Sequence, residues 1–359
     1  MPRAHNLSSV TLCGRSRAPR APAGRSAWSA HRAATSVAMA LTQPVACASL
    51  ECRHRRCMQR EECVHAEVAA LTRRSTTIVF AVCNRYALSN ITLPRWRRYT
   101  ELHGFDFLVV GERNKTVTGI ATPAWDRAFI ARALFRMGYL DVMHVDGDSA
   151  VLAWEIPVGE YVRSRTGPFA NASDDAFLYV SQDRSRFGAY VPTARDFAQH
   201  ISLHPNGQTS GPNNFGVWLM RNSPQALAAL EHLISFSQTP GRRFQKFPAE
   251  QGVLNAWLGQ NCSLTSKHEQ RRSTHPRHSS CVYAQSRYGS FQRFMGRGDT
   301  PIPLMPQANW TVALNEALRE YRDTGTFVLH TPSMSAFPAF TLLAFRMVEE
   351  LFPIGVIGH

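Results

Sequence analysis

Short apolar runs alternate with segments of helical spacing along most of the chain, and that alternation constrains the fold more than any other feature. "TTIVFAVCN" (76–84) is β-branched and continuously apolar, the pattern of a strand covered on both faces. "FDFLVVG" (105–111), "LDVMHVD" (140–146), "AFLYVSQD" (176–183), "FGVWLMRN" (215–222) and "TFVLH" (326–330) repeat it. Between them, "LPRWRRYTELHG" (93–104) predicts a helix closing at Gly104. Thr122-Pro123 opens another through "AWDRAFIARALFRMGY", with a hydroxyl before a proline at the first helical position. Ser223-Pro224 caps "QALAALEHLISF", and "EQGVLNAWLG" (250–259) and "AFTLLAFRMVEELF" (339–352) complete the helices. Strands alternating with helices predict an α/β fold, a mainly parallel sheet with helices on both faces.

The N-terminal end has a different composition. Residues 1–50 contain no Asp or Glu, while Arg3, Arg15, Arg17, Arg20, Arg25 and Arg32 lie among Ala, Ser and Pro. Residues 1–73 are therefore set apart as a disordered or targeting leader, with one domain expected over 74–359. The leader has the composition of a transit peptide, and equally of a tail or of sequence upstream of a start at Met39. Part of the net charge of +14 belongs to it. The remaining basic residues are scattered and lack the interleaved aromatics of a nucleic-acid groove, which argues against a nucleic-acid partner.

No run of 18 apolar residues predicts a transmembrane helix, so membrane association would need an anchor outside this sequence. Six N-x-S/T sequons, at Asn6, Asn90, Asn114, Asn171, Asn261 and Asn309, exceed the roughly two expected by chance and point to the secretory route. The eight cysteines include Cys47, Cys52, Cys57 and Cys63 before the folded region, and Cys262 and Cys281 around a polar loop. None forms a CxxC pair, so disulfides are favoured over metal ligands in an oxidising compartment, with free buried thiols as the other reading. The Golgi or ER lumen is the expected location, with a plastid or other organelle, or secretion, as alternatives.

Asp146-Gly147-Asp148 follows an apolar strand directly. Ligands of open α/β sheets bind beyond the carboxyl ends of the strands. Alternation along an extended chain points residues two apart to the same side, so both carboxylates are expected to face one cation. Oxygen ligands suit Mg²⁺ or Mn²⁺, which bridge readily to a diphosphate. On these residues alone the other reading is an Asp-Gly turn with no ion.

The ordered set "PAWDRAFIARALF", "VMHVDGDSAV", "YVSQD", "NNFGVWLMRNS", "EQGVLN" and "FVLH" resembles the galactosyl/xylosyl/mannosyltransferases of glycosyltransferase family 34 over roughly residues 76–332. The resemblance implies a GT-A type fold and transfer of a hexose or pentose from a nucleotide-diphosphate sugar donor to a glycan or glycoprotein acceptor, with retention of configuration. It implies Asp146, Asp148 and His330 as ligands of Mn²⁺ or Mg²⁺. It implies Asn84, Arg85 and Tyr86 at the nucleotide, with Arg127 and Gly147 also on the donor side. Asp183, Asn213, Asn214 and Gly216 match the acceptor-side region, and Glu250 and Gln251 the pair at the sugar's reactive face. The chain departs from the family in "HTPSMSAF", where Ser335 stands in place of a lysine, and in Phe215, where the family has a small residue. Diphosphate neutralisation then falls to Arg287 or Arg293. The alternatives are a retaining transferase of another GT-A family and a non-catalytic carbohydrate- or nucleic-acid-binding module.

Overall fold

The first apolar run forms a strand, β1 (Thr77–Val82), with all six residues buried. Its side chains divide by alternation: Ile78, Phe80 and Val82 enter one core, Val79 and Ala81 the other. A strand that feeds two cores must be apolar throughout, which is why this stretch has no polar face. In this computed structural model the described residues are 64, 68–69, 71–82, 88–110, 123–164, 167–170, 172–182, 213–238, 249–264, 281–286, 291–294, 306–331 and 338–354. They belong to one compact unit, Pro44–His359. Asn84, Arg85, Tyr86, Asp183, Arg287, Ser335 and the cysteines before residue 64 lie outside the described residues.

The further strands are β2 (Asp106–Val110), β3 (Asp141–Val145), β4 (Ser149–Val151), β5 (Ala176–Gln182), β6 (Asn213–Arg221), β7 (Cys262–Leu264), β8 (Cys281–Ser286), β9 (Gln292–Phe294) and β10 (Val328–His330). The helices are α1 (Ser89–Leu102), α2 (Asp126–Arg136), α3 (Val158–Arg163), α4 (Pro224–Gln238), α5 (Ala249–Asn261), α6 (Trp310–Asp323) and α7 (Pro338–Leu351). A seven-stranded sheet runs β2-β1-β3-β6-β5-β8-β7, and a three-stranded sheet runs β4-β10-β9. In the large sheet every pair is parallel except the two made by β6, which is reversed. The mainly parallel α/β sheet predicted from the sequence is therefore present.

Helices cover both faces. Trp125, Phe129, Leu134, Leu230, Leu233 and Leu258 bring α2, α4 and α5 onto one face with Ile78 and Phe80. Leu93, Trp96, Tyr99 and Tyr161 bring α1 and α3 onto the other with Val79 and Met143. A third cluster, centred on Leu314, Leu318, Leu329, Phe340 and Phe345, packs α6 and α7 on the small sheet. Packing starts upstream of β1, since Val64 and Val68 are buried in the first of these cores.

Local signals are seen at the expected places with shifted ends. Ser223 caps α4 through a bond from the Ala226 N–H to its Oγ (3.1 Å). The first part of α2 is a 3₁₀ turn, Pro123–Trp125. Helix α1 starts at Ser89, four residues before the apolar spacing suggests, and contains Pro94. Cys262 and Cys281 form a disulfide that joins the first residues of the paired strands β7 and β8. Among the described residues no helix is long and apolar enough to cross a membrane.

Candidate metal centre

Strand β3 ends at Val145, and the next three residues leave the large sheet. Asp146 still belongs to it, since its N–H donates to the Gly216 carbonyl on β6 (2.8 Å). Gly147 and Asp148 then form a turn closed by Ser149, whose N–H (3.1 Å) and Oγ (2.7 Å) both donate to the Asp146 carbonyl. The chain continues as β4 in the small sheet, paired antiparallel with β10 so that Ser149 faces His330. The two carboxylates thus converge through a turn between sheets, and not through alternation along one strand as the sequence suggests.

His330 completes the group. Its Nε2 lies 3.2 Å from Asp148 Oδ1 and 3.6 Å from Asp146 Oδ2, and one donor atom from each residue falls within 4.8 Å of the others. Asp148 and His330 are buried, with Asp146 partly open. The Thr331 N–H (3.0 Å) and Oγ1 (3.1 Å) hold the Asp148 carbonyl. Two oxygens and one imidazole nitrogen at this spacing suit a divalent cation such as Mn²⁺ or Mg²⁺.

Helix α1 fixes the turn from the other side. Thr92 Oγ1 donates to the Gly147 carbonyl (2.7 Å), Trp96 Nε1 to that of Ser149 (3.0 Å), and Arg95 Nε to that of Val151 (2.6 Å). Side chains at helical spacing replace a neighbouring strand along this edge of β4.

Charge around the cluster is balanced by Arg127, in the first turn of α2. Its Nη2 reaches Asp146 Oδ1 (2.5 Å), and its Nη1 reaches Glu250 Oε1 (2.9 Å) and the Phe215 carbonyl (3.1 Å). Burial raises the Asp146 carboxyl from 3.8 to about 6. Arg127 opposes that rise and the nearby Asp148 adds to it. Burial also raises Glu250, against Arg127 and the first-turn N–H groups of α5. Two acids pushed towards protonation around a three-ligand pocket are a site where an added cation is favoured.

Gly216 shapes the pocket. A Cβ on it would collide with His330 Cε1 and would stand 2.8 Å from Asp146 Oδ2 and 2.9 Å from His330 Nδ1. The register between β5 and β6 slips here: Val180 pairs with Trp218 but Ser181 with Asn214, so Phe215, Gly216 and Val217 bulge.

The other expected residues fall around this centre in different roles. Gln251 Oε1 accepts from the Phe215 N–H (3.1 Å). Asn213 is tied to Asn255 on α5 (2.7 Å) and to Gln285 on β8 (2.5 Å). Asn214 Oδ1 accepts from the Gly216 N–H (2.9 Å) and from Gln292 (3.2 Å). Phe215 points into the hydrophobic core and fills no pocket at the cluster. Arg293 is engaged on α6, paired with Glu320 (2.6 Å) and lying over the Tyr321 ring.

Two residues with no role assigned from the sequence also touch the cluster. His144 is wholly buried between Phe80 and Trp218, with Nε2 3.9 Å from Asp146 Oδ1. Burial, followed by Arg127, holds it well below its usual range, hence neutral. Gln292 on β9 is also wholly buried and bonds His330 Nδ1 through its amide nitrogen. His144 stands two residues before Asp146 in "VMHVDGD", whereas nothing in "SFQRF" marks Gln292.

Among solved structures, the chain is similar to a glycosyltransferase involved in the glycosylation of the major capsid of PBCV-1. The TM-score is 0.44 at 12% identity, covering 76% of this chain and 98% of that one. It is also similar to mouse xyloside xylosyltransferase 1 in its apo form, with TM-score 0.34 and 10% identity over 72% of this chain and 98% of that one. No family model and no curated protein matches.

Proposed function

We propose that the chain is a divalent-metal-dependent glycosyltransferase of GT-A type. It moves a hexose or pentose from a nucleotide-diphosphate sugar to a glycan or glycoprotein acceptor, with retention of configuration. The observation that carries this reading is the Asp146–Asp148–His330 cluster beyond the carboxyl end of β3, with Arg127 and Glu250 beside it.

A bound Mn²⁺ or Mg²⁺ would offset the negative charge that develops on a diphosphate leaving group. Asp146, Asp148 and His330 would hold that ion, and the Ser149, Thr331 and Thr92 bonds keep the turn carrying the acids in one geometry. Arg127 opposes the burial that raises Asp146 and Glu250, and stands where a second positive charge serves a diphosphate. Glu250, buried at the first turn of α5, would offer a carboxylate to an oxocarbenium-like transition state. Gln251 supports this wall by holding the Phe215 N–H.

A location in the secretory lumen is part of the proposal, supported by the Cys262–Cys281 disulfide, since such bonds persist in oxidising compartments. The test is a panel of UDP- and GDP-sugars with Mn²⁺, scored for released nucleotide. One donor should turn over, and turnover should stop with EDTA. If no donor is hydrolysed or transferred in the presence of a range of glycan acceptors, the transferase reading fails.

A further inference from the structure

The hydrogen-bond chain behind His330 runs in a direction that can be fixed atom by atom. The Gly216 backbone N–H can only donate, so the atom of Asn214 that it meets at 2.9 Å is the carbonyl Oδ1. The Gln292 atom 3.2 Å from that oxygen must then be its amide nitrogen, Nε2. The same nitrogen faces His330 Nδ1, which therefore accepts. An imidazole that accepts at Nδ1 carries its proton on Nε2, where Asp148 Oδ1 lies 3.2 Å away as the acceptor.

That arrangement is the wrong one for a ligand. His330 Nε2 is the nitrogen that faces both carboxylates, and a nitrogen bearing a proton has no lone pair for a metal. Ligating histidines normally donate from the other nitrogen to an oxygen. Gln292 holds such an oxygen in reserve: its Oε1 is buried and has no partner among the described residues. Turning the amide over would place Oε1 on Nδ1–H and free Nε2. It would also set Oε1 against Asn214 Oδ1, so the turned amide needs the gain from an ion to be populated.

We propose that Gln292 is a positioning residue that sets the tautomer of His330, storing the Nε2–H form without metal and the Nδ1–H form with it. The proposal rests on His330 being a ligand of the cluster. The chemistry balances without a further reactant: one proton leaves Nε2, one arrives at Nδ1 by exchange with solvent, and the lone pair on Nε2 passes to the cation.

The test separates this proposal from the function assigned above, because it uses neither donor nor acceptor. Long-range ¹H–¹⁵N spectra of metal-free protein labelled with ¹⁵N-histidine, with His330 assigned through His330→Ala, report which ring nitrogen carries the proton. The expected state is Nε2–H in the wild type and Nδ1–H in Gln292→Glu, whose carboxylate can only accept. Calorimetric titration with MnCl₂ should show Gln292→Glu binding about tenfold more tightly than wild type, an effect absent when His330→Ala is added. Nδ1–H in the metal-free wild type overturns the proposal. So does an equal gain in the His330→Ala background, which would make the effect one of added charge. The wild-type spectrum decides the question even if the Glu variant does not fold.

Discussion

Gly216 lies directly against the imidazole of His330, closely enough that a Cβ at 216 would collide with Cε1 and stand 2.9 Å from Nδ1. A backbone position on β6 thereby decides whether a side chain from β10 can reach the acids at the end of β3. Gly216→Ala should shift His330 and weaken Mn²⁺ binding about 10- to 100-fold, in the range seen when the support of a ligand is lost. The overpacking should cost about 1–3 kcal/mol of stability. Calorimetry with MnCl₂ checks the first effect and chemical denaturation the second. Unchanged affinity would show that the contact is not needed.

Thr92 ties α1 to the turn through its 2.7 Å bond to the Gly147 carbonyl. Thr92→Val keeps the volume and leaves that buried carbonyl short of a donor, a loss of about 1–3 kcal/mol. Thr92→Ser should restore most of it. Denaturation midpoints of the three proteins are the measurement, made on material without glycans because the Val variant also removes the Asn90 sequon.

Stability of the metal-free protein should fall as pH rises from about 4 to about 6. Asp146 is raised from 3.8 to about 6 in the fold, so across that window the native state keeps a proton that the unfolded chain releases. The state that binds more protons is the one that loses as pH rises, and here it is the native one. Burial of Glu250 acts in the same direction. Thermal melts in EDTA across this range should decline, Asp146→Asn should flatten the decline, and added Mn²⁺ should stabilise more at the high end. A melting temperature that rises with pH in EDTA would contradict the assignment.

The disulfide between Cys262 and Cys281 closes a sequence separation of 19 residues. Chain-entropy arithmetic for a loop of that size gives about 3 kcal/mol. Cys262→Ser with Cys281→Ser should lower stability by about that amount in non-reducing conditions. The wild type should fall to the same level in dithiothreitol.

Much of the frame was legible in the amino-acid pattern because its signals are local. β1, β2, β3, β5 and β6 are continuous apolar runs, and each appears within a residue or two of its expected place. Asp146 and Asp148 were found because a strand's carboxyl end is marked by the apolar run before it. His330 was placed beside them only through the order of distant motifs, and the structure brings it within 3.2 Å of Asp148. Of the small sheet only β10 was legible, within "TFVLH". β4 and β9 are three residues each, too short to show a period, and their partner β10 lies far away in the chain. Gln292 was missed for the same reason: its meaning comes from a residue 38 positions away. Phe215 looked like a pocket substitution because a motif records residue types and not the direction in which a bulged strand points them.

The central claim is that Asp146, Asp148 and His330 hold one divalent cation, and Mn²⁺ binding followed by electron paramagnetic resonance in the presence of UDP tests it most directly. One Mn²⁺ should bind per chain, with Asp148→Asn and His330→Ala each losing it while keeping the far-UV circular dichroism of the wild type. Full Mn²⁺ binding by the folded Asp148→Asn protein would contradict the account.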